Sequence, residues 1–332
     1  MRIDPKVVSP SRVQALAECG LKFEFRYVEG LRPPRVGSRI LFGNVLHKAR
    51  ELWCVDRRQD MVPLVKEAWS AEGEKDEALG RFLDEYARLS LAARHLADEI
   101  KRARPDVVRV RATKEWKESA LAAEIAELVG TVLDGVQGSV WAFSKSDPLP
   151  SLYDESIALA AAYARRWRHL PPASYSEFSF GVEWEGYKLS GKIDEITLYE
   201  RPQGRPFYGV VDAKTYRDEH PFAAKNIDQG VAYEVAVEQL VAEGRLDLDP
   251  SIERLYGIDA MRMLEYRWFR IDERNKVRYR RELHRYEKAI EAGAFLSNAA
   301  RCDADLCGFR GICLAYHAVP EETDVDEWFN AA

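Results

Sequence analysis

The sequence predicts an α/β fold in which a mixed sheet is flanked by helices and carries an inserted helical subdomain. Residues 174–213 are rich in Tyr, Phe, Val, Ile and Trp, which favour strands. Residues 55–170 are rich in Ala, Leu, Glu, Lys and Arg, which favour helices. Beyond residue 213 the pattern changes from helix to strand and back to helix, as expected for helices that pack on a sheet.

The elements follow from local signals. Ser9 and Pro10 favour a helix start, because Ser caps free amides and Pro suits the first turn. Helices are predicted over 40–54, 61–72, 76–103, 117–142, 151–169, 225–243 and 277–292, the last ended by Gly293. Strands are predicted over 174–185, 187–199, 206–213 and 262–271, with turns at Glu185-Gly186 and at 201–206.

Composition limits the class of protein. The 332 residues carry a net charge of -6, which by itself argues against a simple basic coat protein for nucleic acid. Five cysteines are too few for a disulfide scaffold and fit a reducing compartment. No apolar run approaches a membrane span and no secretory signal is visible, so we expect a cytoplasmic protein without a membrane partner.

Four segments are predicted along the chain. They are an N-terminal segment at 1–54, the helical insertion at 55–172, the sheet-bearing core at 173–295 and a C-terminal segment at 296–332. No catalytic spacing is visible in the insertion. We therefore expect one core with an insertion and not two independent domains.

The most informative motif lies on the predicted strands. Asp212 and Lys214 share one strand face because they are two residues apart, and a hairpin would set Asp194 beside Asp212. Carboxylates suit Mg²⁺ or Mn²⁺, and a lysine can orient water or stabilise developing charge. The alternative is an ordinary surface salt bridge.

Four further candidate site residues are not informative one by one, and only their order along the chain supports a functional role. His47 lies on a predicted helix, Glu177 opens the first strand of the core, and Gln229 and Tyr233 share a helix face. Each also has a plainer explanation: a structural histidine, a solvated acid, an exposed glutamine and a core tyrosine.

This ordered set resembles the RecB-like branch of the PD-(D/E)xK nucleases. The matching motifs are Gly43/His47, Glu177, Gly191/Asp194, Asp212/Lys214 and Gln229/Tyr233. The resemblance covers residues 9–54 and 174–315 and implies a restriction-endonuclease-like core. It implies that His47, Asp194, Asp212 and the Ala213 carbonyl bind Mg²⁺ or Mn²⁺. It also implies that Lys214 acts on the water, Glu177 supports the metal site, and Gln229 and Tyr233 hold substrate.

Four cysteines form a second candidate site: Cys19, Cys302, Cys307 and Cys313. Four thiolates suit Zn²⁺ or an iron–sulfur cluster, and spacing alone does not choose between them. The alternative is scattered buried thiols. The resemblance, which extends to AddB-type nucleases and their relatives in CRISPR adaptation, implies a 4Fe–4S cluster.

The resemblance implies a DNA nuclease, with an exonuclease that acts on single-stranded ends and leaves 5′-phosphates as the favoured form. Such an activity is compatible with a role in recombination, in repair or in CRISPR-type processing. No helicase phosphate loop is present, so any helicase or recombination partner would be a separate chain. Two alternatives stay open: a non-catalytic nucleic-acid-binding subunit and a zinc-stapled structural adaptor.

A basic segment at residues 265–288 is a candidate DNA contact. It holds nine basic and five acidic residues with interleaved aromatic residues. Cations and aromatic rings together can follow a phosphate backbone and stack on bases. The alternative is a solvated helix face over a packed aromatic core.

Overall fold

The structure is a computed structural model. It describes residues 3–33, 36–107, 109–133, 141–142, 149–201, 203–215, 224–298, 307, 309 and 313. The chain divides into two compact units. The first comprises Met1–Pro34, Arg50–Met61 and Ala161–Ala332, and the second comprises Arg35–Ala49 and Val62–Ala160.

The regular elements follow the chain in this order. The strands are β1 (Val7–Val8), β2 (Val36–Gly37), β3 (Trp141–Ala142), β4 (Tyr175–Trp184), β5 (Tyr187–Tyr199), β6 (Phe207–Lys214), β7 (Glu253–Ala260) and β8 (Glu265–Phe269). The helices are α1 (Pro10–Glu18), α2 (Gly20–Phe23), α3 (Ser38–Val55), α4 (Met61–Lys75), α5 (Glu77–Ala103), α6 (Lys114–Lys117), α7 (Ala120–Leu133), α8 (Leu149–Trp167), α9 (Ala224–Ala242) and α10 (Glu273–Ala292).

A mixed sheet forms the centre of the first unit, which confirms the predicted fold class. In the described residues the strand order is β1-β5-β6-β7-β8, with β4 also paired to β5. The β4–β5, β5–β6 and β7–β8 pairs are antiparallel, whereas β1–β5 and β6–β7 are parallel. The β4–β5 turn is at Glu185 and Gly186, both with positive φ, as a tight hairpin turn requires.

One edge of β5 is shared by two strands, which separate at the motif that carries Asp194. A strand has two hydrogen-bonding edges, and β4 pairs along β5 from Tyr187 to Ile196. The other edge is therefore shared by β1, which pairs with Lys188 and Leu189, and by β6, which pairs with residues 195–199. Residues 190–194 lie where these two strands separate.

Helices α1, α9 and α10 close one face of this sheet. Ser9 caps α1 by accepting a hydrogen bond from the Arg12 amide, and Pro10 occupies the first turn, as the sequence predicts. Helix α9 contributes its apolar side to a core that includes Val210, Tyr256 and Leu283. Gly293 ends α10 with a φ of 60°, as expected for a helix-ending glycine.

Two element predictions need correction. Strand β7 is central in the sheet, yet no strand was predicted between the helix at 225–243 and the strand at 262–271. Part of the predicted helix at 117–142 is wrong, because α7 ends at Leu133 and Trp141 and Ala142 pair with β2. Residues 134–140 lie outside the described part of the chain.

The second unit is mainly helical where it is described. Trp69 on α4 donates to the hydroxyl of Ser156 on α8, and Tyr86 on α5 donates to Asp154 on α8. A small apolar cluster centred on Ile100 and Trp116 joins α5 to α6. In the part of the chain that the structure describes, no helix is long and apolar enough to cross a membrane.

Changing Gly230 to alanine should destabilise the first unit. A Cβ at this position on α9 would lie 2.4 Å from the ring of Tyr256 on β7. Overpacking costs about 1–3 kcal/mol and outweighs the gain of about 1 kcal/mol in helix propensity. Urea unfolding should show the loss. The control is Gly181→Ala, whose Cβ meets nothing within 4 Å; equal stability of the two variants would contradict the prediction.

Candidate functional site

Strand β6 places a carboxylate and a lysine on the same face of the sheet. Lys214 Nζ lies 2.7 Å from Asp212 Oδ2. Asp212 is 3% exposed, and Lys214 is half-buried. The pair therefore differs from the surface salt bridge that was the alternative, since solvent screens it much less.

Helix α9 fixes this pair through Gln229. The Gln229 amide donates to Asp212 Oδ1 at 2.9 Å and to the Tyr233 hydroxyl at 2.6 Å. Its carbonyl oxygen accepts from Lys214 at 3.1 Å. The Tyr233 hydroxyl donates in turn to the Lys192 carbonyl at 2.6 Å, and Tyr256 donates to Asp212 at 3.2 Å. Gln229 therefore orients both members of the pair.

Tyr233 is buried in the core of the first unit and is 2% exposed. Burial raises the pKa of its hydroxyl well above the ordinary value, so the group stays protonated and keeps donating to Lys192. In this arrangement Tyr233 orients Gln229. The contacts of Gln229 and Tyr233 with a substrate stay predictions.

The side chain of Asp194 on β5 is hydrogen-bonded to the backbone of β6. Its Oδ2 accepts from the Ala213 amide at 2.7 Å, which brings its carboxylate beside the Asp212–Lys214 pair. Burial raises the pKa of Asp194, while the Ala213 amide and the charges of Arg50 and Lys214 oppose that rise. The hairpin between β5 and β6 thus has the geometry that the sequence predicts for these carboxylates.

Glu177 lies opposite Asp194 across the β4–β5 pairing. A carboxylate oxygen of Glu177 and one of Asp194 lie within 4.8 Å of each other. Glu177 also forms an ion pair with Lys192, and its φ of 52° is in the left-handed region. A non-glycine residue there is strained, and such strain often marks a functional position.

Glu177, Asp194 and Asp212 carry carboxylates on three adjacent strands, and those of Glu177 and Asp194 lie within 4.8 Å of each other. Hard divalent cations such as Mg²⁺ and Mn²⁺ prefer oxygen ligands. The chemistry of these side chains therefore fits such a cation. The Ala213 carbonyl as a further ligand stays a prediction.

The remaining predicted ligands are placed as follows. His47 is half-buried on the part of α3 that belongs to the second unit, and its role stays a prediction. Cys19, Cys307 and Cys313 are partly buried around one apolar cluster of Leu21, Phe25 and Phe309. None of these three cysteines forms a disulfide. Cys302 lies outside the described residues.

The basic segment at 265–288 carries exposed cations, many of which are paired with acids. Four of its cations form ion pairs with acids from elsewhere in the fold: Arg270 with Glu253, Lys276 with Glu238, Arg278 with Asp228 and Arg280 with Glu185. Lys288 pairs with Glu291 on the same helix. Tyr279 and Tyr286 are buried in the core. The aromatic side of α10 therefore packs in the core, and contact of the exposed cations with DNA stays a prediction.

Sequence reasoning missed a buried charged network on the opposite face of the sheet. We call it the Arg50 network; its members are Arg50, Arg57, Tyr163, Glu195, Thr197, Tyr199, Asp259 and Tyr266. Arg50 donates from Nη2 to Glu195 at 2.6 Å and from Nε to Asp259 at 2.7 Å. Both Arg50 and Glu195 are at most 2% exposed.

Glu195 is the most heavily bonded carboxylate of the network. Besides Arg50 it accepts from Arg57 at 2.6 Å, Thr197 at 2.7 Å and Tyr199 at 2.8 Å. Burial acts to raise the pKa of Glu195, but the two guanidinium groups and the hydroxyls outweigh it and lower the pKa. For Asp259, which is bound by Arg50 and Tyr163, burial wins and the pKa is raised.

Comparison with known proteins supplies the family. A search of the curated proteins finds no match. A profile of the PD-(D/E)XK nuclease superfamily matches residues 7–314, which is most of the chain and includes all the site residues described above. The mixed sheet flanked by helices agrees with the fold of that superfamily. The chain therefore belongs to the PD-(D/E)XK nuclease superfamily of metal-dependent nucleases.

Proposed function

We propose that the protein is a deoxyribonuclease that hydrolyses phosphodiester bonds with Mg²⁺ or Mn²⁺. One observation carries the proposal. The Asp212–Lys214 pair is oriented by Gln229 and tied to Asp194 through the Ala213 amide. A set of acids and a lysine held this way suits phosphoryl chemistry, where positioning and charge stabilisation supply most of the catalysis.

In this proposal Asp194 and Asp212 bind the cation, with His47 and the Ala213 carbonyl as further ligands and Glu177 in support. A bound cation polarises the phosphate and lowers the pKa of water. The Lys214 ammonium orients the attacking water and stabilises negative charge that develops on the phosphate. Gln229 holds Lys214 and Asp212 at a fixed separation.

The finer substrate assignment rests on the resemblance to RecB-like nucleases. We propose an exonuclease that acts in the cytoplasm on single-stranded ends and leaves 5′-phosphates, in recombination, repair or CRISPR-type processing. Any helicase or recombination motor that works with it would be a separate chain, since the sequence lacks a phosphate loop.

We also propose that Cys19, Cys302, Cys307 and Cys313 hold a 4Fe–4S cluster. The support is that three of these cysteines surround the same apolar cluster, which joins the N-terminal and C-terminal parts of the first unit. The Gly20 amide donates to the Leu296 carbonyl at 2.9 Å and joins the same two parts. Four thiolates suit iron.

The activity test uses end-labelled single- and double-stranded DNA, linear and circular, with Mn²⁺ or with EDTA. Linear single strands should be shortened from their ends only with Mn²⁺, and Asp212→Asn should abolish the reaction. Cleavage of circles would replace the exonuclease assignment with an endonuclease. If purified protein binds DNA but never cleaves it, the protein is the non-catalytic subunit and our proposal fails.

The cluster test measures metal content on anaerobically purified protein. Iron near four atoms per chain with broad visible absorbance supports the cluster. Colourless protein with one zinc per chain would replace it with a zinc site, and neither metal would leave the cysteines as buried thiols. Cys54→Ser is the control: Cys54 is free and buried on α3, outside the proposed ligand set, so metal content should not change.

A further inference from the structure

Towards its end, strand β6 has polar residues on one face and apolar residues on the other. Asp212 and Lys214 point to the face covered by α9, whereas Val211 and Ala213 point to the other face. Glu195 on β5 pairs with Val211, and Asp259 on β7 pairs with Ala213. Paired residues share a face, so both acids lie on the side opposite the Asp212–Lys214 pair.

Arg50 joins these two acids across β6. Its guanidinium donates to Glu195 on β5 and to Asp259 on β7, and both donor–acceptor distances are below 2.8 Å. Val211 and Ala213, the β6 residues on this face, are both buried and have no polar side chain. One side chain from α3 therefore bridges β5 and β7 across β6, near the end of the β5–β6 pairing.

The Arg50 bridge is close to the candidate cation site, because Asp194 is the neighbour of Glu195 on β5. Asp194 precedes Glu195 on β5, and its carboxylate accepts from the Ala213 amide. Asp194 also lies at the fork, where residues 190–193 are paired with β4 on one edge while the pairing to β1 has ended and the pairing to β6 has not begun on the other. Glu195 is thus the first β5 residue after the fork that is paired with both β4 and β6, and Arg50 binds its side chain.

We propose that Arg50 is a positioning residue for the cation site, acting through Glu195 and Asp259 to hold Asp194 at its distance from Asp212. This inference rests on the proposed function, because it assumes that Asp194 and Asp212 bind the cation. A planar guanidinium can bind two carboxylates in fixed directions, whereas an ammonium group is a single point charge. Partners that orient ligands in this way change metal affinity by about 10–100-fold when they are removed.

The test measures Mn²⁺ binding by electron paramagnetic resonance of the free ion, without DNA. Arg50→Lys keeps the charge but cannot bridge the two acids, so its Mn²⁺ dissociation constant should rise about 10–100-fold. At saturating Mn²⁺ the KM for DNA should stay unchanged. Circular dichroism melting checks that the variant is folded.

A second variant covers the case in which Arg50→Lys does not fold. Arg50→Met with Asp259→Asn removes one charge of each sign, so the remaining Arg57–Glu195 pair stays balanced. It should fold and still bind Mn²⁺ about 10–100-fold more weakly. The matched control is Arg254→Met with Glu234→Gln, which removes an ion pair between β7 and α9 outside the Arg50 network. Its Mn²⁺ affinity should equal that of the wild type.

The outcomes separate this inference from the proposed function. If the wild type binds Mn²⁺ and the neutral double variant binds it equally well, Arg50 is only structural and the inference is wrong. An equal loss of Mn²⁺ affinity in the control pair would also overturn it. Absence of Mn²⁺ binding by the wild type would overturn both the proposed function and this inference.

Discussion

Replacing Lys214 with methionine is expected to slow DNA cleavage about 10²- to 10³-fold, the usual effect of removing one group that stabilises transition-state charge. The protein should remain folded, because Asp212 keeps its hydrogen bonds from Gln229 and Tyr256. Methionine retains most of the length of the lysine stem and removes only the ammonium. The loss should therefore appear in the chemical step and not in Mn²⁺ binding.

Single-turnover cleavage of labelled DNA at saturating Mn²⁺ measures this loss directly. Lys188→Met is the matched control, since Lys188 is an exposed lysine on β5 at the stretch that pairs with β1. Its rate should stay within about threefold of the wild type. A Lys214→Met rate within the same range would show that Lys214 does not act in catalysis.

Replacing Glu195 with alanine should destabilise the protein by about 3–5 kcal/mol, the usual cost of removing one partner of a buried ion pair. Glu195 is fully buried and accepts hydrogen bonds from both Arg50 and Arg57. Its loss leaves two guanidinium groups in the interior with Asp259 as the remaining carboxylate of the network. The alanine also leaves a cavity, which adds to the cost.

Urea unfolding followed by circular dichroism measures the change. Glu85→Ala is the control, because the ion pair of Glu85 with Arg88 is exposed on α5 and should contribute little. Glu195→Gln should lie between Glu195→Ala and the wild type, since it keeps the volume and a hydrogen-bond acceptor. Wild-type stability of Glu195→Ala would mean that the Arg50 network is not a stabilising element.

The parts of the site that follow from local spacing were predictable. The two-residue period of a strand puts Asp212 and Lys214 on one face, and the short turn before β6 brings Asp194 to the same place. The hydrogen bonds of Gln229 to that pair depend on how α9 packs on the sheet. Spacing along one helix cannot reveal a contact with a separate strand.

The Arg50 network was not predictable for a general reason. A charged residue on a helix is normally exposed, so Arg50 gives no signal of its complete burial. Strand β7 was missed because it opens with Glu253 and Arg254 and contains Gly257, which weakens a strand pattern. The glycine is required by the fold, since a Cβ there would lie 2.4 Å from Trp268.

The shared edge of β5 has a consequence for the order of folding. The β5–β6 pairing joins residues as close in sequence as Tyr199 and Phe207, whereas the β1–β5 pairing joins Val7 to Lys188. Contacts between residues close in sequence lose less chain entropy and tend to form first. The hairpin that carries Asp194, Asp212 and Lys214 can therefore assemble early, and β1 closes its long loop afterwards on an edge that is already half occupied.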